Sequence, residues 1–184
     1  MLSRYKNNIN QIAVYDSINK FNYKHNNQLT KITQVSVNIS DPALTTVKSK
    51  ILYYLYLIRA ITNQTPKETL SKKNKIRLKI KKDMIIGCKI DLNSNKSLEF
   101  LEYFTLFIIP QIKDFTGFTY NPKNKNQLAF HVREWHKILP DDHLLENASF
   151  YNKNLPSLQI TIKFNNALTD EIICMLSACN FPLR

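Results

Sequence analysis

The residues best suited to chemistry are the cations in the first half of the stretch from Ser71 to Leu92. They are Lys72, Lys73, Lys75, Arg77, Lys79, Lys81 and Lys82, and the one anion among them is Asp83. So dense a run of cations either binds a polyanion or lies in open water. The alternative reading is a solvated edge strand, because lysine side chains commonly protect a sheet edge from pairing with another chain.

The same stretch predicts two antiparallel strands with a protruding basic arm, residues 72–82, at or near their junction. From Lys75 to Lys81, cations alternate with aliphatic residues, which is the period of a strand. The second half alternates as well, with Ile86, Cys88, Ile90 and Leu92 on one face and Gly87, Lys89 and Asp91 on the other. A glycine inside a strand, here Gly87, indicates a bulge or a close approach of another backbone.

Signatures of catalysis are thin in this sequence. Two glycines are too few for a P-loop or a dinucleotide-binding fingerprint. A metal site could be drawn from His131, His136 and His143 with Glu134, Asp141 and Asp142, but no pair has a recognised helical zinc spacing. We therefore interpret these side chains as surface polar residues, and we predict no enzyme, no cofactor and no metal site.

The charge balance of the whole chain points to an anionic partner. Its 184 residues include 26 Lys and Arg against 14 Asp and Glu, a net charge of +12. Such a chain attracts phosphate backbones, or anionic membranes as the lesser option. No apolar run reaches the length that spans a membrane, and the polar N-terminus lacks the apolar core of a signal peptide.

The three cysteines predict a reduced protein. Cys88, Cys174 and Cys179 are odd in number and have no Cys-x-x-Cys spacing, which argues against a disulfide framework or a zinc knuckle. Cys88 falls on the apolar face of its strand and is predicted to lie in the core, as is at least one of the other two.

Hydrophobic periodicity predicts the elements that would position these residues. Helical spacing covers residues 9–21, 47–62, 98–108 and a last segment from 169, and strand alternation covers 34–39, 86–92, 128–133 and 158–164. The order favours an α+β fold, a mostly antiparallel sheet of about five strands with helices packed on one face. The other face would be polar and available, with Ser36, Asn38, Lys89, Asp91, Thr161 and Lys163. We predict one domain over residues 1–184, with 1–15 as a candidate N-terminal extension.

Two segments make the chain recognisable. Residues 86–90 read Ile-Gly-Cys-Lys-Ile, and residues 109–117 read Ile-Pro-Gln-Ile-Lys-Asp-Phe-Thr-Gly. They resemble the large-subunit ribosomal protein family L five, which holds 5S ribosomal RNA in the central protuberance. Supporting matches are residues 21–23, 32–38, Gln64 with Pro66, 132–134 and the ending Asn-Phe-Pro-Leu-Arg at 180–184. The resemblance covers about residues 16–184.

The resemblance implies three contact surfaces and the partners of each. Polar residues of the sheet side would bind 5S and large-subunit ribosomal RNA, with Asn38, Gln64 and Asp91 at the matching positions and Lys89 on the same face. The arm, residues 72–82, would approach the transfer RNA in the peptidyl site. Residues 118–127 and the loop after Pro140 would face a protein of the small-subunit head and bridge the subunits. No membrane partner is implied.

The departures from the family pattern bear on location. The family's glycine-rich turn is here residues 39–42, its arm glycines are replaced by Arg77 and Asp83, and Asp91 stands where a threonine is usual. Asn, Lys, Ile and Tyr are abundant while Gly is nearly absent, which favours an AT-rich genome such as an organelle's. We therefore predict a mitochondrial ribosome, with a plastid or bacterial ribosome as the alternative.

The sequence thus favours a structural, non-catalytic constituent of the large ribosomal subunit that binds ribosomal RNA. One rival is a free-standing RNA-binding module outside the ribosome, motivated by the basic arm and the aromatic residues. A second rival is an enzyme acting on RNA, motivated by the His131–His143 cluster. The alternating positions place mainly polar residues on the open sheet face, whereas the first rival would place stacking aromatics there.

Overall fold

The fold is α+β, as a computed structural model describes it for residues 4–112, 115–119, 126–133, 156–165 and 168–184. The strands are β1 (Ile32–Ser40), β2 (Lys67–Leu70), β3 (Ile85–Asn93), β4 (Gln127–Val132) and β5 (Leu158–Phe164). They form one antiparallel sheet in the order β2-β3-β1-β5-β4, with helices packed around it. The predicted fold class is therefore confirmed.

The helices lie between and around these strands. They are α1 (Arg4–Asn8), α2 (Val14–Lys20), α3 (Lys50–Thr62), α4 (Asn95–Tyr103) and α5 (Thr169–Ala178). A π-helical turn, Ile9–Ala13, joins α1 to α2, and α4 continues through Phe104–Ile108 and Ile109–Gln111. Among the described residues, none of these helices has the length and apolarity that crossing a membrane requires.

Strand alternation explains the two faces of the sheet. Along β5, every second side chain from Leu158 to Phe164 is buried, and the residues between them are half-buried. Val35, Val37 and Ile39 are buried on β1, and of the residues between them Ser36 is buried and Asn38 is half-buried. Because successive side chains of a strand point to opposite faces, one face of the sheet is apolar and the other is polar. The predicted alternation of both strands is confirmed.

The predicted strand from Lys75 to Lys81 is wrong. The partner of β3 is β2, which lies nearer the N-terminus, and the basic residues form the loop between the two strands. A strand would bury alternate aliphatic residues on one face, but Ile76 is 92% exposed and Ile80 only 8%. The segment Ile76–Leu78 is instead a single 3-10 turn.

Helix α3 begins three residues later than the pattern predicted, at Lys50 rather than at Val47. The residues before it form a 3-10 turn, Pro42–Thr45, because Asp41 Oδ1 accepts a hydrogen bond from the Ala43 backbone N–H at 2.8 Å. The turn takes the chain from β1 into the helix.

The described residues fall into two compact units. The first contains Met1–Val35, Leu92–Phe130 and Thr161–Arg184, and the second contains Ser36–Asp91 and His131–Ile160. The organisation of residues 1–184 as one domain stays a prediction.

In the first unit, phenylalanine rings form the centre of the core. The ring centroids of Phe118 lie 4.0 Å from Phe130, 5.6 Å from Phe181 and 6.1 Å from Phe104. Phe118 also pairs with the C-terminal residues: its N–H donates to Pro182 O and its carbonyl accepts from Arg184 N–H, both at 2.9 Å. Gly117 has φ +100°, a left-handed conformation that glycine adopts without strain. Two of the segments that carry the resemblance therefore pack against each other.

The N-terminal helices belong to the same unit. Tyr5 is buried, and its hydroxyl donates to Thr105 Oγ1 at 3.1 Å. Burial raises the pKa of Tyr5 to about 12. Part of the candidate N-terminal extension, residues 1–15, is therefore packed in the core of this unit.

In the second unit, the close backbone approach predicted at Gly87 is confirmed. A Cβ added to Gly87 would strike the carbonyl oxygen of Ile39 on β1. Nearby, the buried Tyr54 hydroxyl donates to Asp41 Oδ2 at 2.6 Å. Burial and this carboxylate together raise the pKa of Tyr54.

All three cysteines are buried and free of disulfides, so the predicted core positions are confirmed. Burial raises the pKa of the Cys88 and Cys179 thiols to about 12. A thiol with so high a pKa is almost wholly protonated near neutral pH and is a poor nucleophile.

Candidate nucleic-acid interface

The polar face of the sheet in the second unit is built from alternate strand positions. Three strands contribute, because each polar side chain lies between apolar neighbours that point into the core. The residues are Ser36 and Asn38 on β1, Lys89 and Asp91 on β3, and Gln159 on β5. Three of them, Asn38, Lys89 and Asp91, are predicted RNA-binding residues.

Lys89 and Asp91 form an ion pair on this face. They are two residues apart on β3, and Lys89 Nζ lies 2.9 Å from Asp91 Oδ1. The same oxygen accepts a hydrogen bond of 2.5 Å from the hydroxyl of the buried Ser36. Since both charged side chains are 40% exposed, the pair contributes little to stability, but it restrains where the Lys89 ammonium lies.

Amide groups lie on the neighbouring strands. Asn38 Nδ2 donates to Gln159 Oε1 across β1 and β5 at 3.3 Å, and both residues are half-buried. An amide group has two donor hydrogens and an acceptor oxygen, so this one bond uses only part of its capacity. Such a pair can exchange hydrogen bonds with base edges or with a ribose 2′-OH.

Gln64 lies on the segment between α3 and β2, where Asn63 ends the helix with a left-handed φ of 52°. Gln64 is half-buried, and its backbone carbonyl oxygen is 3.4 Å from Thr62 Oγ1. Gln64 thus lies at the turn by which the chain leaves α3 and enters β2.

Lys67, at the start of β2, lies directly opposite Lys89 in the sheet register. Like charges in such a cross-strand pair repel each other. Asp91 offsets part of this repulsion, and a bound phosphate would offset the remainder. The edge of the sheet is therefore suited to an anionic backbone.

The base of the arm is closed by hydrogen bonds. Ser71 N–H donates to Met84 O and Asp83 N–H donates to Ser71 O, both at 2.9 Å. Further out, Lys82 N–H donates to Asn74 Oδ1 at 2.7 Å. These bonds extend the pairing of β2 and β3 into the arm, although the ladder is irregular between Thr69 and Leu70.

The tip of the arm is closed as well. Lys75 and Ile80 exchange two backbone hydrogen bonds, of 2.8 and 3.1 Å, around the turn Ile76–Leu78. Lys79 and Asp83 have left-handed φ angles of 53° and 63°. Asp83 therefore holds a backbone conformation that glycine would adopt more easily.

The seven predicted arm cations are all exposed. They are Lys72, Lys73, Lys75, Arg77, Lys79, Lys81 and Lys82. They surround a closed backbone loop, and residues 72–82 include no Asp or Glu. Their positive potentials therefore add up over a small surface.

The first unit has a smaller polar cluster on its own part of the sheet. Lys163 Nζ is 3.0 Å from Gln34 Oε1, and Thr33 Oγ1 donates to Lys163 O at 3.1 Å. The structure thus places Lys163 on a polar face, and it leaves Thr161 half-buried beside it on β5.

The remaining predicted features lie mostly outside the described residues. His131 and Arg133 are exposed at the end of β4, while Glu134, His136, Asp141, Asp142 and His143 are not described. The described residues contain no group of three metal-ligating side chains. Of the predicted subunit-bridging surface, Phe118 is buried in the core and Gln127 is exposed on β4. Residues 120–125 and the loop after Pro140 lie outside the described residues.

Three residues of the interface were missed by the sequence reasoning. Gln159 alternates with buried residues on β5, so its place on the polar face could be predicted. Its hydrogen bond with Asn38 could not, because that prediction needs the order of the strands in the sheet. Lys67 was missed because β2 is only four residues long and lacks an alternating pattern. Asn74 orders the arm through a hydrogen bond to a residue eight positions away, for which the sequence carries no signal.

These features define a class: a basic α+β protein with a polar sheet face and a closed cationic arm. Comparison with known proteins makes the class specific. Large ribosomal subunit protein uL5 of Buchnera aphidicola subsp. Baizongia pistaciae is 30% identical over an alignment 190 residues long. The alignment covers 98% of this chain and 96% of that protein. The protein named uL5 of Idiomarina loihiensis is 28% identical over 177 residues, 94% of this chain and 93% of its own.

A relative named uL5m, from Reclinomonas americana, is 31% identical over 134 residues, which cover 72% of this chain and 74% of that protein. No family model matches the chain. The identity and coverage of these relatives are sufficient to assign the family. The chain belongs to the uL5 family of large ribosomal subunit proteins, which confirms the resemblance to the L five family seen in the sequence.

Proposed function

We propose that this chain positions RNA within the large ribosomal subunit. As a member of the uL5 family it is a structural constituent of that subunit and not an enzyme. The rival reading as an enzyme acting on RNA is therefore wrong. The finer proposal is that the chain binds ribosomal RNA in the central protuberance, including 5S ribosomal RNA where the ribosome contains it.

The second unit is proposed to recognise RNA through Asn38, Lys89 and Asp91 on its sheet face, together with Gln64 on the segment between α3 and β2. The amides supply donors and acceptors for base edges and 2′-OH groups, and Lys89 supplies one restrained cation. Hydrogen bonds to base edges and 2′-OH groups give a protein its selectivity for one folded RNA. Asp91 acts here mainly by holding Lys89 in place.

The arm is proposed to contact the transfer RNA in the peptidyl site. The observation that carries this proposal is the set of seven exposed cations, Lys72 to Lys82, on a loop closed by backbone hydrogen bonds. A cationic loop of fixed shape can reach a phosphate backbone without first being ordered, so it loses less conformational entropy on binding.

The third proposed surface, residues 118–127 and the loop after Pro140, would bridge to a protein of the small-subunit head. This proposal rests on the family alone. We also propose a mitochondrial ribosome as the location, supported by the relative named uL5m and by the amino-acid bias of the chain. Residues 1–184 are proposed to act as one domain with no membrane partner.

The test of the arm is to replace Lys72–Lys79 by a short Gly-Ser turn. Ser71 still pairs with Met84 and Asp83 in this variant, so the base of the arm remains closed and the stability should change little. The variant should enter large subunits and carry their RNA, but ribosomes containing it should lose peptidyl-site transfer RNA faster. Sedimentation measures incorporation, and filter binding measures the loss of transfer RNA.

The outcomes separate the readings. A folded variant that fails to enter the subunit would make the arm the principal assembly site. Unchanged retention of transfer RNA would show that the arm is a solvated loop without a transfer RNA contact. A wild-type protein that sediments apart from large subunits would support the free-standing RNA-binding module instead.

A further inference from the structure

The arm carries an apolar side chain where its charge would not lead one to expect it. Ile76 is 92% exposed, the highest exposure of any large hydrophobic residue in the described part of the chain, and Leu78 on the same turn is 47% exposed. Ile80, the third aliphatic residue of the arm, is buried. The loop therefore packs one of its aliphatic side chains and presents another to its surroundings.

The conformation of the tip holds Ile76 in this exposed place. The two backbone hydrogen bonds between Lys75 and Ile80 close a four-residue loop, and Lys79 completes it with a left-handed φ of 53°. Moving Ile76 into the core would require breaking this pair of bonds. The exposure of Ile76 is thus built into the turn.

Cations flank the exposed isoleucine on both sides. Lys75, Arg77 and Lys79 are all exposed, and each can neutralise a phosphate. An isoleucine contributes nothing to a phosphate contact, but it packs well on a flat apolar surface such as the face of a nucleobase. Proteins that bind nucleic acids use aliphatic side chains against base steps in this way, with cations on the adjacent backbone.

We propose that Ile76 is an apolar contact residue that packs against the exposed face of a nucleobase, while Lys75, Arg77 and Lys79 neutralise the phosphates on either side. The ligand is a folded RNA with an unstacked base or the open end of a stack. The inference rests on the proposed function, in which the arm contacts peptidyl-site transfer RNA. A lipid surface is the less favoured ligand, because two aliphatic side chains give a small area for insertion.

The experiment uses large subunits assembled with the full-length variant proteins. Ile76→Asn removes the apolar contact and Ile76→Val keeps it. Leu52→Asn is the matched control, because Leu52 is also an exposed aliphatic residue (70%) but lies on α3, away from the arm in sequence. Arg77→Gln removes a neighbouring cation. The readout is the rate at which transfer RNA leaves the peptidyl site over a series of salt concentrations.

Ile76→Asn is expected to speed dissociation about tenfold without changing the salt dependence, because burying part of an isoleucine involves no counterion. Ile76→Val and Leu52→Asn should behave like the wild type. Arg77→Gln should speed dissociation and reduce the salt slope by about one. Amide hydrogen exchange at Lys75 and Ile80 in the free protein shows whether the Asn variant keeps the closed tip.

Three results would overturn the proposal in distinguishable ways. If Arg77→Gln weakens retention and Ile76→Asn with a closed tip does not, the arm acts by charge alone and the proposed function survives. If neither variant has an effect, the arm does not contact transfer RNA and both proposals fail. Binding of the wild type, but not of Ile76→Asn, to phosphatidylglycerol vesicles with unchanged retention of transfer RNA would make the ligand a lipid surface.

Discussion

Replacing Asp91 by asparagine tests how the charged pair on the sheet face works. Asp91 Oδ1 contacts Lys89 Nζ at 2.9 Å and accepts the Ser36 hydroxyl at 2.5 Å. Asparagine keeps the shape and an oxygen acceptor for Ser36 but removes the negative charge. If Asp91 serves to hold Lys89, the freed ammonium becomes available to RNA phosphates, and the affinity for ribosomal RNA should rise.

The expected magnitudes follow from the exposure of the pair. Both side chains are 40% exposed, so solvent screens the interaction and its contribution to stability is about 0–1 kcal/mol. The free energy of unfolding should therefore fall by no more than about 1 kcal/mol. One further phosphate contact should steepen the salt dependence of binding by roughly 0.7–0.9. At low salt the affinity should rise about threefold. This corresponds to a gain of about 0.7 kcal/mol in binding free energy, half of that for a tenfold change.

The assay is filter binding of a ribosomal RNA fragment over a series of salt concentrations, with urea unfolding of each variant. Lys89→Gln is the matched control and should not steepen the salt dependence, because it supplies no ammonium to be freed. In the double variant, Asp91→Asn should give no gain, because no ammonium remains to be freed. Weaker binding of Asp91→Asn with an unchanged salt slope would refute this reasoning and make the carboxylate a direct acceptor from the RNA.

Three further changes test the face and the core. The double variant Asn38→Ala, Gln64→Ala should weaken binding to the large subunit by about 1–3 kcal/mol, which lowers incorporation, while unfolding stays cooperative. Normal sedimentation with the subunit would remove both residues from the site. Gly87→Ala should destabilise by about 1–3 kcal/mol, since its Cβ would strike the backbone of β1, and an unchanged urea midpoint would contradict this. For Cys88 and Cys179, burial raises the pKa from 9.0 to about 12, so stability should be full below about pH 9 and fall as pH rises toward 12, as urea midpoints over that range would show.

The strands of the core could be predicted because their burial is periodic. In β5 every apolar residue lies at an even spacing from the last, and no polar side chain falls on the buried face. Such a pattern admits one register, since a shift by one residue would bury the polar set. The polar residues opposite, including Asn38 and Lys89, follow directly from the same alternation.

The arm could not be predicted in this way, because its alternation has a different cause. Lys75 to Lys81 reads like a strand, yet it closes on itself through the Lys75–Ile80 pair, and further hydrogen bonds come from outside the segment. Asn74 Oδ1 accepts from Lys82 N–H, and Ser71 pairs with Met84. A side chain that bonds a backbone group eight residues away leaves no periodic trace, so the local pattern was outweighed by longer-range contacts.

The second unit distributes its charge unevenly, and this has a consequence for recognition. On the sheet face Lys89 is paired with Asp91, Lys67 lies opposite Lys89, and the remaining groups are a hydroxyl and amides. The arm, residues 72–82, holds seven of the chain's 26 Lys and Arg. Neutral hydrogen bonds are insensitive to salt, while phosphate contacts release counterions. Raising the salt concentration should therefore weaken the arm's contacts first and leave those of the face, so that a ribosome loses transfer RNA before it loses this protein.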